Sequence, residues 1–489
     1  MPEELAFFDS EIIELKSSPD HGRGYYAKTK IEPGTTIIVE YPFASTIKPD
    51  FINIVCNYCT LVHDPNLLMN DHTTTASKNK NCSMKKCAGC KLQYYCSAAC
   101  QKAAWLHSHK FECKILKEIG KLPKSDQDLL ILRSIIKADK NPDLERNLQM
   151  INLEPKYESL NFQENNYKNE INSCYEYCKD SKLCNDIFSS LIKKYPKNYS
   201  DPYSIILEFA TRLQNNRMGI GPIDQDFLGQ SSGTAIYPKI TLANHSCRPN
   251  ALWQTYKNMK NVLRVVKKIE PGQEILVTYL DTTKTSKNRK AELWLNYHFV
   301  CDCTSCNVDS ADHIYFDGKQ NEGGIFDELV EKGEVDKISS LPVFNSGVMR
   351  QLQESFNEMV RTMGLHRQMD KTYDIGVKLW QGMDFYLSMH LPSMVDSDYS
   401  SASSTNSTNS DEENLNSRFK IDECYRPDFS RACAVHLLML ADIAVRIKMS
   451  RKTVQDYVER AENILKITDD NESKVFQTID RLKAAKSLR

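Results

Sequence analysis

The amino-acid sequence predicts an α+β protein. Small β-sheets are split by a cysteine-rich module and a helical insert, and are followed by a second cysteine-rich segment and a helical C-terminal region. Three observations predict this. Short β-branched runs follow glycine turns at Thr35–Val39, after Ile31-Glu32-Pro33-Gly34, and at Gly272–Tyr279, which is the pattern of strands in small antiparallel sheets. Cysteines at metal-ligand spacing crowd two places, Cys56 to Cys113 and Cys301 to Cys306. Apolar residues recur at helical spacing between Ser125 and about Leu213, and again through the last third of the chain.

Composition narrows the function classes. The chain of 489 residues holds 63 Lys and Arg against 64 Asp and Glu, so it has material for two to four domains and no net field directed at nucleic acid or an anionic membrane as main partner. The first residues lack a basic stretch, and no apolar run approaches the roughly 20 residues of a membrane span. A soluble intracellular protein of the cytoplasm and/or nucleus, without membrane attachment, is expected. Seventeen cysteines in a reducing compartment, many at x-x spacing, point to zinc and not to a disulfide framework.

Taken in chain order, His21-Gly22-Arg23-Gly24-Tyr25-Tyr26-Ala27 and the Pro33-Gly34 turn open the sheet region, and no Gly-x-Gly-x-x-Gly opens a helix there. The stretch Asp71–Lys80, rich in Thr, Asn and Lys, reads as a mobile insertion. In the helical insert, Leu129, Leu130, Leu132, Ile135 and Ile136 form an apolar group near one face. Sheet chemistry resumes at Ala235-Ile236-Tyr237-Pro238, and a strand is expected to end near Asn244 and His245. It continues through Val262–Val266 to a strand ending at Tyr279. Helical stripes follow at Leu352, Phe356, Met359, Val360 and Met363, at Trp380, Met383, Leu387 and Leu391, and at Val454, Tyr457, Val458, Ala461 and Leu465. A Ser/Asn/Thr-rich loop at 397–417 carries too little apolar surface to order itself.

The cysteine-rich module offers four pairs: Cys56-x-x-Cys59, Cys87-x-x-Cys90, Cys96-x-x-x-Cys100 and His109-x-x-x-Cys113. Eight ligands in pairs suit two tetrahedral zinc ions with every position filled by protein, so these ions would be structural. Cys82 and His107 are spare candidates. Farther on, Asn244-His245-Ser246-Cys247-Arg248-Pro249-Asn250 supplies one thiolate, and Cys301, Cys303 and Cys306 supply three more, the number a third closed zinc site requires. Cys174, Cys178 and Cys184 have no evident fourth partner and read as plain thiols.

The order Asn-His-Ser-Cys-x-Pro-Asn, then a strand ending in Tyr279, then Cys-x-Cys-x-x-Cys, closely resembles the core and post-SET region of SET-domain lysine methyltransferases. The module around Tyr95-Cys96-Ser97, Gln101 and Trp105 resembles a MYND finger. The resemblance covers nearly the whole chain. It implies a SET-type sheet region at 1–50 and 216–283, a MYND finger at 51–118, a helical SET insert at 119–215, a post-SET segment at 284–310 and a tetratricopeptide-like helical domain at 311–489. It also implies alternating finger ligands, with Cys56, Cys59, Cys96 and Cys100 on one ion and Cys87, Cys90, His109 and Cys113 on the other.

By the same resemblance His21, Gly22, Arg23, Asn244, His245, Tyr279 and Phe299 would meet S-adenosylmethionine. Tyr279 would be the catalytic tyrosine and Tyr297 a second channel tyrosine. The expected reaction is direct displacement by a deprotonated lysine of a histone or other protein, in a tyrosine-lined channel. The finger would bind proline-containing peptides beside Gln101 and Trp105, and a monomer is expected. The competing classes are an inactive zinc-finger and helical-repeat adaptor and a DNA-binding zinc protein; the neutral charge opposes the second.

Overall fold

The computed structural model describes residues 10–18, 22–61, 84–140, 164–220, 231–280, 286–297, 299–303, 306, 373, 376–377, 380, 427–468 and 474–484. His21, Cys82, the stretch 71–80, the loop 397–417 and the stripes at 352–363 and 383–391 lie outside these residues. The chain divides into two compact units, one of 1–36, 244–252 and 264–489, the other of 37–243 and 253–263.

In the first unit, β1 (Ile13–Ser18) and β2 (Gly22–Ala27) pair antiparallel from Ile13 opposite Ala27 to Ser18 opposite Gly22. Two Pro-Gly turns recur with one geometry. Thr35 N–H donates to Glu32 O and Gln273 N–H to Glu270 O, while Gly34 and Gly272 take φ of +87° and +82°, the position at which a turn with proline at its second residue demands glycine. The second turn delivers Ile275, whose N–H donates to Tyr25 O.

The expected strand through Tyr279 is shorter than its β-branched run suggests. Of the strands numbered in chain order, β9 (Asn244–His245) and β12 (Leu276–Val277) pair in parallel, with Leu276 opposite Asn244 and Val277 opposite His245. Backbone partners are divided: residues 273 and 275 bond to β2, Leu276 N–H goes to the Asn250 side chain, and Ser246 N–H reaches Val277 O. Tyr279 therefore stands beyond the strand end. Residues 240–242 likewise form a 3-10 turn, where a strand was expected.

The same unit holds α7 (Ser286–Tyr297) and the C-terminal helices α8 (Pro427–Arg446), α9 (Arg451–Thr468) and α10 (Lys474–Ala484). These three pack around Leu437, Leu440, Val454, Val458, Ala461, Leu465 and Ile479, with Trp380 in the same core. Among the described residues, no helix is long and apolar enough to cross a membrane.

In the second unit, β4 (Ala44–Ile47), β8 (Gly233–Ile236) and β7 (Arg217–Ile220) form a three-stranded antiparallel sheet with β8 central. A further three-stranded sheet of β3 (Thr36–Glu40), β11 (Asn261–Val265) and β10 (Ala251–Thr255), with β11 central, lies mostly in this unit as well. Hairpin β5 (Lys85–Lys86) and β6 (Tyr94–Tyr95) leads to α1 (Ala98–Ala104), which Ser97 caps by accepting Cys100 N–H at 3.1 Å. A widened turn at 105–109 joins α1 to α2 (Lys110–Ile119), which ends on Gly120 at φ +76°.

The insert comprises α3 (Asp126–Lys140), α4 (Glu164–Cys178), α5 (Lys182–Lys194) and α6 (Pro202–Gln214). Helix α3 buries a wider face than its apolar group suggests and leaves Asp126, Arg133, Lys137 and Lys140 on the less buried side. Its residues 128–132 and 134–136 are all buried, because it packs against β4 on one side and the other helices elsewhere. Cys174, Cys178 and Cys184 are buried in that same core.

A close approach tests this sheet. A Cβ at Gly233 would run into the Thr46 carbonyl oxygen and lie 3.2 Å from Ile220 Cδ1. Gly233→Ala is expected to destabilise the unit by roughly 1–3 kcal/mol, seen as a lower urea midpoint; an unchanged midpoint would mean that β4 and β8 are not so tightly joined.

Candidate metal centres and active site

Three groups of ligand atoms converge, each with all its atoms within 4.8 Å of one another: Cys56, Cys59, Cys96 and Cys100; Cys87, Cys90, His109 and Cys113; Cys247, Cys301, Cys303 and Cys306. Zinc–thiolate bonds in a tetrahedron put sulfurs about 3.8 Å apart. The separations match: 3.7 Å for Cys59–Cys96, 3.8 Å for Cys87–Cys113, and 4.0 and 3.5 Å from Cys247 to Cys301 and Cys306. The donor sets therefore fit zinc. His109 Nε2 lies 3.2 Å from Cys87 Sγ and 3.6 Å from Cys90 Sγ. His107 stands outside the group, its ring against Tyr58.

Sequence reading missed the support of His109. Its Nδ1 lies 2.8 Å from Glu112 Oε1, which directs Nε2 toward the sulfurs. Arg133 clamps the same carboxylate from Nε at 2.6 Å and from its terminal nitrogen at 2.9 Å, and also donates to Ser45 O. Burial raises Glu112, but the Arg133 charge and the His109 hydrogen bond outweigh it and hold the acid at about 2. The His-x-x-Glu-Cys spacing was the available signal, since one helical turn aligns residues three apart. Glu112→Gln is expected to weaken the metal at this group alone by about 10–100-fold, measured by chelator competition; unchanged affinity would make the carboxylate irrelevant to the ligand.

At the third group, Cys247 is fully buried in a cluster with Cys301, Cys306 and Leu293, lined by Tyr279, Tyr297 and Phe299. The His245 ring lies 5.2 Å from the Tyr279 ring and 5.9 Å from that of Phe299; Tyr279 and Tyr297 are 4.9 Å apart. His245 Nδ1 accepts Tyr279 N–H at 3.0 Å, so the ring proton sits on Nε2, 3.3 Å from Cys247 Sγ. Burial keeps this imidazole neutral, down to about 4, with the Cys303 charge opposing. Burial raises the Tyr279 phenol, and Tyr297 adds to the shift.

Asn244 Nδ2 donates to Arg23 O at 2.9 Å and Glu274 Oε1 at 2.8 Å, tying β9 to β2. A Cβ at Gly24 would overlap Glu274 Oε1 and sit 2.7 Å from Asn244 Nδ2. The glycine there admits the protein's own side chains, and the sequence offered no sign of Glu274 in that role. Gly22 differs: at φ +67°, no heavy atom of the described residues beyond its chain neighbours lies within 4 Å of a Cβ position. That open backbone, on the strand joined to Asn244, suits close approach of a small ligand.

The family model of the SET domain matches residues 22–280. The chain is 27% identical over 333 residues to human histone-lysine N-methyltransferase SMYD3, covering 66% of this chain and 68% of that protein. It is 31% identical over 232 residues to chicken N-lysine methyltransferase SMYD2, covering 47% and 49%. With human SMYD2 it shares 26% over 301 residues, covering 61% of each. The chain thus spans between about half and about two thirds of the length of these curated relatives.

Proposed function

The chain belongs to the SET-domain family, and from that membership we propose that it is an S-adenosylmethionine-dependent protein-lysine N-methyltransferase of the SMYD-like kind. The observation that carries the reading is the meeting of His245, Tyr279, Tyr297 and Phe299 beside the Cys247 group. Residues distant in sequence form one aromatic group, and Asn244, the neighbour of His245, is bonded to Arg23 O on the strand that begins at Gly22.

S-adenosylmethionine, when bound, supplies an electrophilic sulfonium methyl. Gly22, Arg23, Asn244, His245, Tyr279 and Phe299 are assigned to hold it; His21 belongs to the same assignment but lies outside the described residues. Both His245 ring nitrogens are engaged within the protein, so its share is backbone and ring face.

Tyr279 and Tyr297 wall the path of the substrate lysine. Their apolar faces strip water from the amine and favour its uncharged, nucleophilic form. Alignment of that amine for direct displacement supplies most of the rate, and the Tyr279 hydroxyl orients the methyl through weak C–H···O contacts of about 0.5–1 kcal/mol each. With burial raising its phenol, Tyr279 keeps its proton at neutral pH.

Zinc at the three cysteine groups is structural in this reading, two ions in the finger at 51–118 and one at the 284–310 segment. The sheet region comprises 1–50 and 216–283, the insert 119–215, and the helical domain 311–489. Substrates are proteins, histone or other. The finger presents Gln101 and the 42% exposed Trp105 to proline-containing peptides, and the protein acts as a monomer.

The test is tritiated-methyl transfer to cell-extract proteins, followed by mass spectrometry of the labelled lysines. Label on lysine supports the reading. Tight cofactor binding without transfer to any protein would overturn it in favour of a recruiting adaptor.

A further inference from the structure

We propose that Arg289 is the counter-cation of the four-cysteine centre and, through the sulfur of Cys247, a positioning residue for His245 and Tyr279. The last part rests on the methyltransferase reading; the first does not.

Arg289 sits on α7, 2% exposed, first among the largest fully buried side chains of the described residues. A guanidinium does not give up its charge, so its burial requires anionic partners. Its Nε donates to Cys247 Sγ at 3.2 Å and a terminal nitrogen to Cys306 Sγ at 3.5 Å. Four thiolates around a dication leave a net charge of two negative inside the protein, and the guanidinium offsets part of it.

The other two groups solve the same problem differently. The Cys87 group, with three thiolates and a neutral imidazole, is less anionic; Glu112 stands behind its histidine, and Arg133 offsets that carboxylate and not a sulfur. In the Cys56 group Cys96 and Cys100 are partly exposed, so solvent screens the charge. Arg289 bonds to sulfur directly, at the more buried of the two four-cysteine groups.

Cys247 Sγ receives two N–H donors, Arg289 Nε and His245 Nε2 at 3.3 Å. From the opposite side of the imidazole, Nδ1 holds Tyr279 N–H at 3.0 Å. Arg289, Cys247, His245 and the Tyr279 backbone thus form a chain without a step longer than 3.3 Å. A shift of the thiolate passes through a planar ring to the backbone that sets the tyrosine. No periodicity within Lys287-Asn288-Arg289-Lys290 marks Arg289 as the residue that turns inward.

The experiment compares zinc-loaded full chain with Arg289→Met and Arg289→Lys. Zinc release to a chromophoric chelator and the thiolate-to-metal charge-transfer band of the cobalt-substituted protein are followed together. In Arg289→Met one zinc of three is expected to be held about 10–100-fold more weakly, with a shifted cobalt band and the finger ions unchanged. Arg289→Lys, which keeps charge but not the two-point grip, falls between. Turnover of the Met variant is expected to stay several-fold below wild type even at saturating zinc, because Cys247 Sγ still lacks the Arg289 donor; full recovery there would overturn the positioning role.

Wild-type release and an unshifted band in folded Arg289→Met would overturn the proposal. If that variant does not fold, Arg289→Lys decides: selective loss of one zinc supports the proposal, and wild-type retention overturns it. Neither metal readout needs catalysis. A wild-type protein that methylates no lysine would sink the function and leave the role at the metal standing.

Discussion

Tyr279→Phe is expected to lower kcat by roughly 2–30-fold, the loss of one or two C–H···O contacts of about 0.5–1 kcal/mol each. S-adenosylmethionine affinity should stay within a few-fold. The ring packing is retained, since phenylalanine fills the same space against His245 and Tyr297, and the backbone N–H still reaches His245 Nδ1. Only the hydroxyl is lost. Because burial raises the phenol, the wild-type rate should rise with pH as the substrate amine deprotonates, with no inflection from Tyr279 near neutrality. Single-turnover rates on a methylated peptide, with cofactor calorimetry beside them, check both parts. Equal rates in the two proteins would remove Tyr279 from the mechanism.

Loss of the ion at the Cys247 group should have the largest effect on stability. Structural zinc contributes about 10–16 kcal/mol of apparent binding energy in small modules, and that ion would join β9 to the segment after α7. Cys247→Ala takes away one ligand, the sulfur bonded by His245, and an anionic partner of Arg289. A buried ion pair broken on one side costs about 3–5 kcal/mol. The variant should show a markedly lower urea midpoint and lose the protection of Trp294 and its neighbours in hydrogen exchange. Cys96→Ala, at a partly exposed ligand, should leave that region protected. The same midpoint for Cys247→Ala and wild type would mean that the four sulfurs do not hold the segments together.

Local chemistry carried much of the fold. Pro33-Gly34 and Pro271-Gly272 specify their turns because a positive φ after proline selects glycine. Ligand pairs read from spacing meet in space, and His109, not His107, joins the cysteines because the turn at 105–109 aims it there. What stayed hidden depends on partners far along the chain. The run at 272–279 forms only the two-residue β12, since its hydrogen bonds are shared among β2, Asn250 and β9. Helix α3 leaves a less buried stripe of Asp126, Arg133, Lys137 and Lys140, and its buried face is wider than the apolar group alone reveals. Glu274 fills the room beside Gly24, and Arg289 turns inward to sulfur; neither has a periodicity that marks it.

If the group of Cys247, Cys301, Cys303 and Cys306 assembles the cofactor pocket, cofactor affinity must depend on it. Calorimetric titration of S-adenosylmethionine into wild type, Cys247→Ser and Cys96→Ser tests it most directly. Near wild-type affinity is expected for Cys96→Ser, and at least about tenfold weaker binding for Cys247→Ser. Undiminished affinity in Cys247→Ser that has lost one zinc would contradict it.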